Sequence, residues 1–181
     1  MMASITTRDS QLWKPEFSLC KSVLAFNLVL KRILNERSID FEHIQSELGY
    51  KFSDVELLNE ALTHSSCLNE PSFQVMQSNE ALAWLGDAVI YWVVSEALYD
   101  PKLSKESLTE ARKKFIEAKD QARLARKLGL DKALRMPEGQ EKEGGRSNPK
   151  NLHTVYEAVV GAIYRDSGYC NAKKFCLSQM N

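Results

Sequence analysis

The chain has 181 residues, 44% of them hydrophobic and 27% charged, which is enough for one full hydrophobic core and short for two. Its 24 lysines and arginines balance 24 aspartates and glutamates, so overall charge gives no argument for nucleic acid, and any such surface must come from segregated charge. Cys20, Cys67, Cys170 and Cys176 lack the paired short spacing of a zinc site or disulfide frame and read as reduced thiols; the compartment expected is intracellular, the cytoplasm favoured and an organelle left open.

Residues 1–40 read as an N-terminal extension. Its most apolar stretch, Phe17 to Leu34, is interrupted by Lys21, Lys31 and Arg32 and is shorter than the ~20 apolar residues of a membrane span, so an amphipathic helix is expected and no membrane partner. Asp9 and Glu16 weaken an organelle-targeting reading. A helix from Ile39 to Leu48 should stop at Gly49, and Ser53 or Asp54 should cap the next, which carries Val55, Leu57, Leu58, Ala61 and Leu62. Asn69 to Gln77, with Pro71, reads as a loop, followed by a long helix from Asn79 to Tyr99. Helical segments continue from Ser104 to Leu128, with Gly129 as a stop. Met136 to Lys150 holds Pro137, Gly139, Gly144, Gly145 and Pro149 and is irregular, and a last helix runs from Asn151 to Asp166 before Gly168. With no convincing strand, residues 41–181 are expected to form an all-α domain of antiparallel neighbours.

Two acids interrupt two apolar helices. Asp87 falls within Leu82 to Val89, and Glu157 opens Glu157-Ala158-Val159-Val160-Gly161. A buried carboxylate is costly unless a cation, a hydrogen-bonding partner or water meets it. Each acid has a glycine within a turn, and a helical glycine often marks close approach of another backbone or ligand. The pattern predicts a metal site between packed helices. Glu80 lies seven residues before Asp87, on the same face and about 10.5 Å away along the axis; as an acid in the first turn it also has a plain role in offsetting the helix dipole. Thr154 and Glu157 share a face at i, i+3, and Leu82, Leu85, Val89 and Trp92 form a core stripe, Trp84 and Trp92 both being read as core. His64 and His153 are not spaced as ligands with each other and read as hydrogen-bonding residues.

Charge segregates between Lys102 and Arg135, where eleven basic residues face five acidic ones. Beside an acidic metal centre, such a surface could supply the phosphate contacts of double-stranded RNA, with Lys113, Lys114, Lys119, Arg123, Arg126 and Lys127 as the contacts.

Phe52, Asp54, Leu57 and Leu58; Ala61-Leu62-Thr63-His64-Ser65-Ser66; Asn79-Glu80 with Leu85-Gly86-Asp87-Ala88-Val89; and Glu157-Ala158 with Gly161-Ala162-Ile163-Tyr164 and Asp166-Ser167-Gly168 together resemble the ribonuclease III catalytic domain. The resemblance runs in order from about Ile44 to Gly168. It implies an all-helical ribonuclease III-type fold, here expected without a double-stranded-RNA-binding domain, and a homodimer. It also implies an endoribonuclease that processes double-stranded RNA by magnesium-assisted hydrolysis, with manganese as a substitute ion. By the same resemblance Asp87, Glu157 and Glu80 are catalytic, and Asp87 and Glu157 bind metal.

The chain departs from the family pattern where Ala83 and Thr154 stand in place of acids, and where Lys105-Glu106 precedes Leu108 in place of an acid-glycine pair. Leu82-Ala83-Trp84-Leu85-Gly86-Asp87-Ala88 and Thr154-Val155-Tyr156-Glu157-Ala158 are similar to Mini-ribonuclease III, a branch with both substitutions. One or two carboxylates with water and substrate phosphate suffice for one magnesium ion, whereas two ions are hard to support on Asp87 and Glu157 alone. Glu80 would then orient a water, and Thr154 either positions a water or bonds to its own backbone. The alternatives are a catalytically impaired RNA-binding relative and a helical structural subunit of a ribonucleoprotein or ribosome, with ribosomal RNA as a partner.

Overall fold

The computed structural model describes residues 40–73 and 75–180. The expected N-terminal amphipathic helix and Cys20 lie outside them.

Local chemistry sets the helix boundaries. Helix α1 (Phe41–Leu48) starts where the Asp40 carboxylate accepts from the His43 amide and ends at Gly49, whose φ of 62° is left-handed. In α2 (Val55–Ala61) Asp54 provides the cap, accepting from the Glu56 amide. Helix α3 (Glu80–Leu98) follows Asn79, and α4 (Lys105–Ile116) is capped by the Ser104 hydroxyl on the Ser107 amide. Helix α5 (Ala118–Lys127) and the single turn α6 (Leu130–Ala133) are separated by Gly129, again left-handed. The Gly/Pro-rich segment holds α7 (Glu138–Lys142) and a 3-10 turn at Gly145–Ser147, shorter elements than sequence periodicity can reveal. Helix α8 (Pro149–Ser167) starts with Asn148 accepting from the Lys150 amide and Pro149 in its first turn. A further helix, α9 (Tyr169–Gln179), follows Gly168, where the sequence pattern predicts the end of the helical run.

Helix α8 forms the axis of the domain. Leu152 and every residue from Val155 to Ile163 are buried, and the helix packs against α3, α5, α9 and α2. Helix α3 buries one face, Leu82, Ala83, Gly86, Val89, Ile90, Val93 and Val94, against α8. By length and hydropathy alone α3 would pass for a membrane span; 39% of that stretch is buried within the domain, on the face packed against α8.

Two non-local ties fix the helices near the site. The His64 amide donates to the Arg135 carbonyl (3.0 Å) and the Arg135 amide to the Leu62 carbonyl (2.7 Å), a single parallel bridge and the nearest thing to sheet among the described residues. At the end of α8, the Asp166 carboxylate accepts from Tyr50 Oη (2.6 Å) and from the amides of Ser53 (3.1 Å) and Asp54 (2.9 Å). Burial alone would raise the Asp166 carboxyl, but these bonds outweigh it and hold its pKa below the usual aspartate value.

Candidate active site

The α3–α8 crossing brings backbone against backbone. A Cβ on Gly86 would lie 1.8 Å from the Glu157 carbonyl oxygen, and one on Gly161 would lie 2.1 Å from the Leu82 carbonyl oxygen. The glycines beside the two acids therefore mark backbone-on-backbone approach, and the crossing brings Glu157 against the turn that carries Asp87.

The two acids differ in environment. Glu157 is buried, and its Oε1 lies 2.9 Å from His153 Nε2, one turn earlier on α8. The hydrogen bond to Glu157 holds the His153 pKa above its ordinary value against the opposing effect of burial; the charges of Glu157 and Asp87 add to it. Asp87, expected as a buried carboxylate inside its helix, is instead exposed. It sits one residue past Gly86, at the margin of the packed face, close enough for its charge to reach His153. Its cost of burial is therefore small, and of the two acids only Glu157 is an interior charge of the kind the sequence pattern predicts.

Glu80 and Thr154 share a cleft. Both line a polar cleft of about 350 Å³ together with His64, Asn79, Lys150 and Asn151, and neither Asp87 nor Glu157 is among the residues lining it. Glu80 is exposed in the first turn of α3, where its dipole role also applies. His64 is fixed by its contacts: Nδ1 accepts from the Ser66 amide (3.2 Å), which leaves Nε2 to donate to Asn151 Oδ1 (3.3 Å). Asn151 Nδ2 in turn donates to the Gly145 carbonyl (3.0 Å), tying this wall of the cleft to α8. The Nδ2 atom of Asn79, almost fully buried, has no hydrogen-bond partner.

The donors at the crossing fit a divalent cation in chemistry. Two carboxylates come from facing helices, one buried and met by an imidazole. Among the described residues no three His, Cys, Asp or Glu side chains cluster closely enough to hold an ion alone, so water or substrate oxygen must complete the set. Ala83 is buried on the packed face of α3 and supplies no donor.

The basic candidates lie on α4 (Lys113, Lys114) and α5 (Lys119, Arg123, Arg126, Lys127), and all are exposed. Three already face acids: Lys113 with Glu110 (3.0 Å), Lys119 with Glu117 (2.7 Å) and Arg123 with Asp120 (3.8 Å). Arg126 donates to the Ser147 carbonyl (3.0 Å).

Trp84 and Trp92 depart from the core positions that their spacing predicts. Trp84 is 80% exposed and Trp92 54% exposed, on the side of α3 turned away from α8. Trp92 stacks on Tyr169 with ring centroids 4.1 Å apart. Helical spacing cannot separate core from outer face when the helix is apolar on nearly every side. His153, read as a hydrogen-bonding residue, is one; what the sequence reading did not name is its partner Glu157, which their i, i+4 relation could have shown.

Comparison with known proteins agrees with this architecture. A family model described as Ribonuclease-III-like matches residues 54–181. Ribonuclease 3 of Oleidesulfovibrio alaskensis is 42% identical over 139 residues, covering 76% of this chain and 60% of the relative. Ribonuclease 3 of Desulforamulus reducens is 39% identical over 137 residues, covering 75% and 56%. The chain thus spans 60% or less of the length of these relatives. Two structures of the nuclease domain of ribonuclease III from Campylobacter jejuni superpose with TM-scores of 0.72 and 0.70 at 34% and 32% identity. The alignments cover 78% and 79% of this chain and 96% and 95% of those domains. The first is described for structural flexibility in the region involved in its dimer formation. With a family model matching residues 54–181, and relatives and solved nuclease domains above 30% identity over three quarters of the chain, the chain belongs to the ribonuclease III family.

Proposed function

We propose that the chain is a ribonuclease III-type endoribonuclease that cleaves double-stranded RNA during RNA processing, with Asp87 and Glu157 as its metal-binding residues. The observation that carries this reading is the Gly86–Gly161 crossing, which sets Glu157 against the turn of Asp87. A divalent cation, magnesium or manganese, would supply Lewis acidity and an activated water for phosphodiester hydrolysis. Burial keeps water from screening Glu157, and Asp87 faces solvent where a phosphate can approach. Glu80, which lines a cleft with Thr154, would orient a water, and the exposed cations of α4 and α5 would hold the phosphate backbone by charge and shape.

Self-association is part of the proposal. Trp84 stands beside an open cavity of about 730 Å³ that Leu57, Met76, Leu82 and Leu85 also line, and Met76 is 93% exposed. Apolar surface of this kind fits a second copy paired across a two-fold axis.

The test is cleavage of long double-stranded RNA by the purified chain, with magnesium and with chelator. Asp87→Asn and Glu157→Gln should each slow cleavage about a hundred-fold or more and leave RNA binding largely intact. An Asp87→Asn chain that cuts like its parent removes the assignment.

The impaired-relative reading has one observation in its favour: Ala83 is buried and Thr154 neutral where the family pattern has acids. A parent chain that is inert, and that gains cleavage on Ala83→Glu with Thr154→Asp, selects that reading.

A further inference from the structure

We infer that the polar cleft at the starts of α3 and α8 is a ribose-recognition pocket, in which the Asn79 side-chain amide donates to a 2′-hydroxyl of bound RNA and so lets this chain tell RNA from DNA. The inference rests on the double-stranded-RNA reading above and adds the group by which the sugar is read.

Asn79 carries the argument. It is 1% exposed, it lines the cleft, and its Nδ2 has no hydrogen-bond partner. Its backbone is fully used, the amide donating to the Thr63 carbonyl (2.8 Å) and the carbonyl accepting from the Ala83 amide (2.8 Å). Asparagine at the start of a helix ordinarily caps it, yet this side chain makes no capping bond to α3. A buried donor left unmet is destabilising, so a fold that keeps one beside a cleft gains when an acceptor on a ligand enters.

The rest of the lining selects that acceptor. The carboxylates of Glu80 and Glu143 outnumber the one ammonium, of Lys150, and Thr154 adds a hydroxyl. A phosphate offers acceptors alone and carries charge of the sign that these carboxylates repel. A hydroxyl both accepts and donates: it can take the Asn79 N–H and give its own proton to a carboxylate of the same wall. In an A-form duplex the bases are paired, and the 2′-hydroxyls line a wide, shallow minor groove where a protein surface can meet them.

Position agrees with this. Glu80 precedes Asp87 by about two turns of α3, and Thr154 precedes Glu157 by about one turn of α8, so a sugar held in the cleft lies alongside a strand that passes the two acids. The bonds from His64 to Asn151 and from Asn151 to the Gly145 carbonyl hold the wall in shape before RNA arrives.

The test reads binding, with chelator present so that no strand is cut. The full chain is titrated with a short RNA duplex and with duplexes carrying 2′-deoxyribose at one position at a time. One position should cost the parent about tenfold or more, because the missing hydroxyl leaves Asn79 and its facing carboxylate unpaired. Asn79→Asp keeps the shape and the capping ability but turns the donor into an acceptor; it should lose that discrimination, to within about twofold, whatever its overall affinity. Asn79→Ser keeps a donor hydroxyl and should retain part of it. In the parent, the Asn79 side-chain amide resonances should shift with the all-RNA duplex and not with the duplex that is deoxy at that position, a readout that needs no variant. If no position is costly in the parent, the inference is overturned and water is what meets Asn79. Equal cost in the parent and in Asn79→Asp overturns it too, since the hydroxyl is then read elsewhere. Amide resonances that shift with inorganic phosphate but ignore the sugar mark an anion site, which is likewise contrary. A parent that shows the costly position yet fails to cut supports the sugar pocket and removes the nuclease reading alone, whereas a parent that binds no RNA removes both.

Discussion

Gly86 and Gly161 face each other across the α3–α8 crossing, and each leaves its side-chain position to a backbone carbonyl of the opposite helix. A methyl group at either place meets backbone, which cannot swing aside like a flexible side chain. Gly86→Ala and Gly161→Ala should therefore each destabilise the domain by about 1–3 kcal/mol or more, against the usual gain from replacing a helical glycine. Chemical denaturation measures this. A variant as stable as its parent would show that the helices can separate freely and that the crossing does not hold Glu157 in place.

Trp84 should dominate self-association. Exposed aromatic anchors at the centre of an interface are worth about 2 kcal/mol or more, so Trp84→Ala should weaken the dimer by at least about tenfold. Sedimentation at micromolar concentration tests it, with the parent expected as a dimer. A parent that is monomeric while cleaving RNA contradicts the dimer.

RNA affinity should fall steeply with salt. Each neutralised phosphate contributes a slope of roughly −0.9 on duplex DNA, and a similar order is expected on double-stranded RNA. Replacing Lys113, Lys114, Arg123 and Arg126 by alanine should flatten that slope. Because Lys113 and Arg123 begin within reach of Glu110 and Asp120, each must exchange a local partner for phosphate, so Lys114 should contribute more per residue than either. Unchanged slope and affinity in the fourfold variant would place the RNA on another face.

The Asp166 carboxylate should make stability depend on acid pH. Its folded pKa lies below the unfolded value, so its stabilisation is fully present above the unfolded aspartate pKa and is lost as pH falls through the folded one. Asp166→Asn should be less stable than its parent at neutral pH, and the difference should shrink as the pH falls below about 4. Denaturation curves across that window would decide it, a constant gap at every pH being the contrary result.

The helices that carry strong caps were legible in the sequence. Asp54, Gly49 and Gly129 act at the places where side chain or backbone freedom predicts, and Ser104 caps the helical run read from that residue, whereas Asn148 caps α8 within the segment read as irregular. The crossing was legible too, because a glycine beside an acid in each of two apolar helices marks a place where another backbone comes close. What was not legible depends on tertiary context. Asp87 faces solvent because it lies off the face that α3 buries, and an apolar outer face hides that boundary. Trp84 and Trp92 mislead for the same reason, since an aromatic residue suited to an interface has the spacing of a core residue. Helix α9 is hard to read because only Ala172, Phe175 and Cys176 are buried in it, too few for a clear period. His153 could be placed against Glu157 by spacing, but the 2.9 Å contact needed the rotamers that packing selects.

The bridge between Thr63 and Arg135, and the bonds from residues 50–54 to Asp166, join segments separated by about 70 to 116 residues. A helical domain usually gains speed in folding from contacts between neighbours in sequence, because short loops close at little entropic cost. Here the α1–α2 arm is secured only after α8, near the other end of the domain, has been made. During synthesis the early helices therefore emerge long before their partner, so the arm should gain hydrogen-exchange protection only once α8 has formed.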